Sequence, residues 1–213
     1  MMTERPPRSH LDPKENGMTT PLKLAVIIGS VRDGRFGPVV ARWFADQARA
    51  HGGYDVDVID LADYDIPLEL PAVPPAMNPD PDRPAGMTAL TDRLSAADAY
   101  VIVTPDYNRS FPASLKAAID WHFTQWQGKT IGFVGYSGAS GGLLAIEGLR
   151  QVFNELDAHT LREYVSFPRY YLLFDENGAL RNPEEPAGAA RTMLDRLHWW
   201  ASALAAARSV PVA

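Results

Sequence analysis

Gly29-Ser30-Val31-Arg32-Asp33-Gly34-Arg35-Phe36-Gly37 gathers a hydroxyl, two guanidinium groups and three glycines in nine residues. That set suits an anion. Ser30 supplies an O–H donor, and Arg32 and Arg35 supply charge-assisted donors able to hold two oxygens at once. Glycine allows the backbone to bend close to the bound group. The plainer alternative is a solvated turn carrying two surface arginines. The segment lacks the Gly-Lys-Ser/Thr ending of a Walker loop and the Gly-x-Gly-x-x-Gly spacing of a dinucleotide fingerprint.

Two further loops have unusual chemistry. Thr104-Pro105-Asp106-Tyr107-Asn108-Arg109-Ser110-Phe111-Pro112 is stiffened by a proline near each end. Tyr107 can lie against a planar ring, and Asn108 can bond a heterocycle edge. The alternative is a rigid connector whose tyrosine covers the core. Tyr136-Ser137-Gly138-Ala139-Ser140-Gly141-Gly142 can bring backbone N–H groups to a second polar edge. It also reads as a tight turn between two regular elements.

These loops need a scaffold, and the apolar pattern supplies one. Leu24-Ala25-Val26-Ile27-Ile28 is a continuous apolar run, as in a strand covered on both faces. Val39–Ala50 has helical spacing, with Pro38 suited to its first turn and Gly52-Gly53 to its end. Tyr54–Asp60 alternates, as an edge strand does. Met87–Ala97 is expected to be helical, Ala99–Thr104 a buried strand, and Ala113 to about Phe123 a helix. Lys129–Gly135 and Thr160–Ser166 are expected strands flanking a helix over Leu143–Leu156. Phe167–Asn182 reads as irregular and Glu184–Ala206 as a closing helix. Strands alternating with helices predict an α/β fold. The expectation is a flavodoxin-like, doubly wound, five-stranded parallel sheet, order 2-1-3-4-5, with helices on both faces. In that order ligands bind beyond the carboxyl ends of strands 1 and 3, and all three loops leave that edge.

Organisation and composition bound the rest. Residues 1–20 are polar and proline-bearing and are expected to be a disordered extension. Residues 21–207 are expected to form one domain, and 208–213 a tail. Leu61–Pro84 holds seven prolines, which rules out a regular element. The formal net charge of -6 argues against nucleic acid and anionic membranes as partners. No apolar run reaches the roughly 20 residues of a membrane span, and a cytoplasmic location is expected. The chain has no cysteine, so thiol catalysis and iron–sulfur clusters are excluded. Among other candidates, His122 has no partner at metal-ligand spacing and reads as a packed or interface histidine. Asp55 and Asp57 read as solvent-facing on an edge strand, and no metal site is expected. Trp121, Phe123 and Trp126 read as core or interface, and Leu197-His198-Trp199-Trp200 as packing against the sheet.

With those residues in view, the chain resembles the NADPH-dependent FMN reductase family, which includes quinone, azo and chromate reductases. The resemblance rests on Gly29-Ser30-Val31-Arg32, on Thr104–Asn108 running into Pro112-Ala113-Ser114-Leu115-Lys116-Ala117-Ala118-Ile119-Asp120-Trp121, and on Tyr136–Gly142. The middle segment is the most specific, and the likeness spans about Leu24 to Val165. It implies FMN as cofactor and NADPH or NADH as electron donor. Ser30 and Arg32 would hold the FMN phosphate. Arg35, Phe36 and Gly37 occupy the positions of further phosphate-loop donors, where Phe36-Gly37-Pro38 departs from the family's polar choice. Thr104, Pro105, Asp106, Tyr107 and Asn108 would border the flavin ring, with Tyr136, Ser137, Gly138 and Gly141 at its other edge. Arg109, a cation beside that ring, is inferred to meet the phosphate of NADPH.

No catalytic side chain is implied, because the cofactor carries the chemistry. The expected acceptor is a small molecule: a quinone, an azo compound, a free flavin or a metal oxyanion. The family also pairs the helices after strands 3 and 4 with a second subunit, which implies a homodimer or a dimer of dimers. Two rivals stay open: a flavodoxin-type electron carrier and a non-redox ligand-binding module. An arginine-bearing phosphate loop and the lack of a strongly acidic docking face favour the enzyme over the carrier.

Overall fold

The computed structural model describes residues 21–78 and 81–210. The extension expected over 1–20, residues 79–80 of the proline-rich segment and residues 211–213 of the expected tail lie outside the described residues.

Five parallel strands form one sheet in the order β2-β1-β3-β4-β5. They are β1 (Leu22–Ile28), β2 (Tyr54–Asp60), β3 (Ala99–Pro105), β4 (Thr130–Ser137) and β5 (His159–Pro168). The helices are α1 (Gly37–His51), α2 (Thr88–Ala96), α3 (Ala113–Asp120), α4 (Leu143–Glu155), α5 (Tyr170–Leu173) and α6 (Glu184–Arg208). The expected topology is the one observed.

The continuous apolar run of β1 is explained by its two covered faces. Leu24, Val26 and Ile28 point into one core with Val40, Phe44, Met193 and Leu197 of α1 and α6. Ala25 and Ile27 point into a second core with Leu90, Leu115, Ile119 and Leu149 of α2, α3 and α4. Side chains alternate across a strand, so a strand between two helix layers must be apolar at every position. Helix α1 begins with Gly37 and Pro38, buries Val40, Phe44 and Ala48 along one stripe, and stops at Gly52 with φ 85°. Burying a side chain such as Phe44 contributes roughly 2–3 kcal/mol.

Four sequence expectations change. Helix α3 ends at Asp120 rather than near Phe123. Trp121 leaves the helix to donate its Nε1–H to the Pro67 carbonyl at 2.8 Å, tying down the proline-rich segment. The stretch after β5 is not wholly irregular, since it contains α5 and a bridge between Phe174 and Leu180. Asp57 does not face solvent freely. It accepts from Arg93 Nε at 2.9 Å, because the Asp55–Asp57 face of β2 lies beside α2. Trp199 does not pack on the sheet and is 60% exposed, whereas Leu197 is buried and Trp200 stacks on His159 with ring centres 4.1 Å apart. His122 is buried: its Nδ1–H donates to the Ala118 carbonyl at 2.7 Å and Nε2 lies 2.9 Å from Thr91 Oγ1. Among the described residues no group of three His, Cys, Asp or Glu is arranged to hold a metal ion, and no helix is long and apolar enough to cross a membrane.

Candidate flavin site

The loops after β1, β3 and β4 meet in one cleft above the carboxyl ends of the strands. The first contributes Arg32, Arg35 and Phe36, and the second Pro105, Asp106 and Tyr107. The third contributes Tyr136, Ser137 and Gly138, and Tyr170 of α5 closes the side. Three loops far apart in sequence converge because β1, β3 and β4 are neighbours in the sheet.

The first loop is built to leave donors free. Gly29 N–H donates to the Val103 carbonyl at 2.9 Å, and Ser114 Oγ donates to the Gly29 carbonyl at 2.7 Å, fixing the loop to β3 and α3. Beyond that point the N–H groups of Ser30, Val31 and Arg32 meet no acceptor among the described residues. Helix α1 starts alongside without a side-chain cap, so its positive end is also open. Arg35 donates to Asp60 at 2.5 Å and to the Ser30 carbonyl at 3.2 Å, while its buried Nε has no protein partner. Arg32 is exposed, and its interaction with the Tyr107 hydroxyl raises the pKa of its guanidinium. Unpaired N–H groups beside a free guanidinium match the oxygens of a phosphate.

Ser30 and Gly37 lie beneath this surface rather than on it. Ser30 is fully buried, and its Oγ shares a 3.1 Å hydrogen bond with the Tyr136 hydroxyl. Burial pushes the Tyr136 phenol up to about 12, so it stays neutral. A Cβ on Gly37 would come within 2.9 Å of both Ile28 and the Tyr136 hydroxyl. Phe36 joins an aromatic group, with ring centres 4.7 Å from Tyr170 and 5.2 Å from Phe174. The Phe36-Gly37-Pro38 departure thus has a structural reason: an aromatic wall beside a close approach of backbone to Tyr136.

The second and third loops are tied to each other. Asp106 accepts from the Ala145 N–H at 2.8 Å and from Ser140 Oγ. Helix α4 has glycine at its own N-cap, so Asp106 supplies the missing capping oxygen from another loop. Ser137 Oγ accepts from the Gly141 N–H at 2.8 Å and closes the third loop on itself. A Cβ on Gly142 would fall 2.4 Å from Gly135 Cα, and φ there is 90°. Glycine is therefore required where the loop packs back on β4. Thr104 is buried and donates to the Pro105 carbonyl at 3.0 Å. Tyr107 and Ser110 exchange two backbone hydrogen bonds, of 2.7 and 2.9 Å, and carry Asn108 and Arg109 on an exposed two-residue turn.

Of the residues singled out in the sequence, nine line the cleft directly: Arg32, Arg35, Phe36, Pro105, Asp106, Tyr107, Tyr136, Ser137 and Gly138. Ser30, Gly37, Thr104 and Gly141 form its floor or supports, and Asn108 and Arg109 stand beyond its rim. Tyr170 was not placed by sequence, because nothing in Phe167–Asn182 shows that the chain folds back over the strand ends. Asp60 was missed as the partner of Arg35, because that pairing needs β2 beside β1.

A flavodoxin-like sheet with a donor-rich loop and two flanking loops at its switch point has the arrangement at which this fold class binds nucleotide-type ligands. The chain belongs to the NADPH-dependent FMN reductase family, whose family model matches residues 22–171. It is 31% identical to a 2-hydroxy-1,4-benzoquinone reductase of Burkholderia sp., over 84% of this chain and 96% of that one. A Pseudomonas putida quinone reductase is 30% identical over 86% of this chain and 96% of its own length. A Schizosaccharomyces pombe NAD(P)H-dependent FMN reductase is 34% identical over 56% of this chain, a match spanning 60% of that relative. Among solved structures, FerB, a flavoenzyme NAD(P)H:(acceptor) oxidoreductase of Paracoccus denitrificans, superposes with a TM-score of 0.67. It is 22% identical and covers 85% of this chain and 98% of that one. The free donors of the first loop fit the phosphate of the FMN that the family uses.

Proposed function

We propose that the chain passes electrons from NAD(P)H through bound FMN to a small acceptor, with a quinone as the first acceptor to test. The carrying observation is the cleft itself. An open set of N–H donors, with an Arg32 guanidinium that no described carboxylate pairs with, lies beside Tyr107, Tyr136 and Tyr170 at the switch point of the sheet. When bound, FMN supplies the two-electron exchange with donor and acceptor.

The chain's own residues bind, orient and shield. The Ser30–Arg32 N–H groups and the Arg32 guanidinium hold the phosphate. Arg35, paired with Asp60, keeps that loop in shape. Pro105 through Tyr107 border the ring on one side, with the Asp106 carboxylate already committed to α4, so that residue offers its backbone. The Ser137–Gly138 segment brings N–H groups to the other edge, where they favour developing negative charge. Gly138 is exposed and a Cβ there would meet nothing within 4 Å, leaving room for a ring to approach. Relatives named as quinone reductases support the choice of acceptor. The same reading includes a homodimer through α3 and α4.

An absorbance spectrum of the purified protein tests the proposal. Added NADPH is expected to bleach a bound flavin and a quinone to restore it. A colourless protein that takes up no FMN, or a flavin that NAD(P)H leaves oxidised, would refute it. Sedimentation at micromolar concentration tests the dimer, and a monomer there removes it.

A further inference from the structure

Arg109 sits in a backbone position that turn chemistry assigns to another residue. Tyr107 and Ser110 close a two-residue turn in which Asn108 has φ 49° and Arg109 has φ 69°. A tight hairpin turn with both central residues at positive φ prefers Asn-Gly. Asn108 satisfies the first place. At the second, a long side chain replaces the glycine that would sit there without steric cost. Such an outlier at a site's rim points to a use for the side chain.

The side chain is free for that use. Arg109 is exposed and makes no hydrogen bond or ion pair with any described residue. Arg35 is held by Asp60, and Arg32 leans on Tyr107. The carboxylate closest in sequence, on Asp106, is consumed by Ser140 and the α4 N-terminus. In a chain of net charge -6, the hairpin tip is thus locally positive.

Placement narrows the ligand. Tyr107 lines the cleft, whereas Arg109, two residues on, is exposed and is not among the residues that line it. A dinucleotide donor must put its nicotinamide at the ring and its adenosine away from it. NADPH differs from NADH only by a phosphate on that distant ribose. We infer that Arg109 selects NADPH over NADH by pairing with the 2′-phosphate, an inference that rests on the nicotinamide-dependent reading above. A guanidinium is the side chain best shaped for a phosphate dianion.

The test uses Arg109→Gly, which removes the cation and keeps the turn, because glycine accepts positive φ. The holoprotein, normalised to flavin content, is assayed with NADPH and with NADH. The ratio of their kcat/KM values is expected to fall about 10- to 100-fold, through the KM for NADPH. Arg109→Lys should keep part of the preference. Calorimetry with 2′,5′-ADP and with 5′-ADP gives a second readout. Wild type should bind the 2′-phosphate compound more tightly, and Arg109→Gly should lose that difference. An unchanged kcat/KM ratio in Arg109→Gly overturns the inference. So does loss of the preference in Arg169→Gly alone, since Arg169 is a second exposed arginine with positive φ, at the end of β5. If the protein holds no flavin and oxidises neither nucleotide, the reductase reading fails. The 2′,5′-ADP comparison then still decides the role of Arg109.

Discussion

Arg32 and Arg35 are three residues apart, yet only Arg35 is held by a carboxylate. Arg35 pairs with Asp60 and the loop backbone and keeps only its Nε unpartnered, while the Arg32 guanidinium is influenced by nearby tyrosines, Tyr107 first. Arg32→Ala is therefore expected to keep the fold and weaken FMN binding about 10- to 100-fold, the worth of one charge-assisted contact. Flavin absorbance per protein after gel filtration reports it, and wild-type flavin content in the mutant would contradict the assignment. Ser30 and Tyr136 make the opposite case, since their hydroxyls satisfy each other inside the protein. Tyr136→Phe strands the buried Ser30 hydroxyl and should cost about 1–3 kcal/mol. Urea unfolding is expected to show that loss, and the added Ser30→Ala change should recover much of it. Additive losses would mean the pair does not interact.

Helix α4 depends on a residue that is not its own. Its N-cap is Gly142, chosen by the close approach to Gly135, and a glycine has no side chain with which to cap. Asp106 fills that role from the loop after β3 and so clamps two walls of the cleft together. Asp106→Ala is expected to destabilise the protein by about 1–2 kcal/mol, the usual value of an N-cap. Thermal melting measures that cost, and flavin titration should show weaker binding through the loosened wall. A mutant with unchanged Tm would show that the clamp carries no energy.

The two cores give the whole molecule its rigidity, and one of them contains a buried histidine. His122 packs between α2 and α3, and burial lowers its pKa from 6.5 to about 4. The neutral ring is thus the folded form, while the unfolded chain binds a proton more readily. Its stabilisation is complete above about pH 6.5 and declines as pH falls toward 4. Between about pH 7 and about pH 5 that amounts to about 2 kcal/mol. His159 and His198 are shifted the same way by burial and add to the slope. Urea unfolding of His122→Gln at the two pH values should show the acid loss reduced by about that amount. An identical acid slope in the mutant would exclude His122 as its source.

The fold was legible because its signals are local and repeated. A run such as Leu24–Ile28 has two covered faces written into five consecutive residues, and Gly52 marks a helix end by its own backbone freedom. The loops of the site were legible for the same reason: glycines, prolines and arginines cluster at strand ends. Their division of labour was not. Ser30 reads as a surface donor until the sheet brings Tyr136 beside it, 106 residues later. Arg35 reads as a wholly free donor until β2 sets Asp60 2.5 Å from it, although it still lines the cleft. Asp106 lines the cleft as expected, but only the fold shows its carboxylate taken by the Ala145 N–H of α4. Residue type and spacing determined that this chain has a donor-rich loop at the switch point of a flavodoxin-like sheet. Which donors in that loop stay free was decided only by tertiary structure, because a hydrogen-bonding group is consumed by whichever partner the fold places nearest.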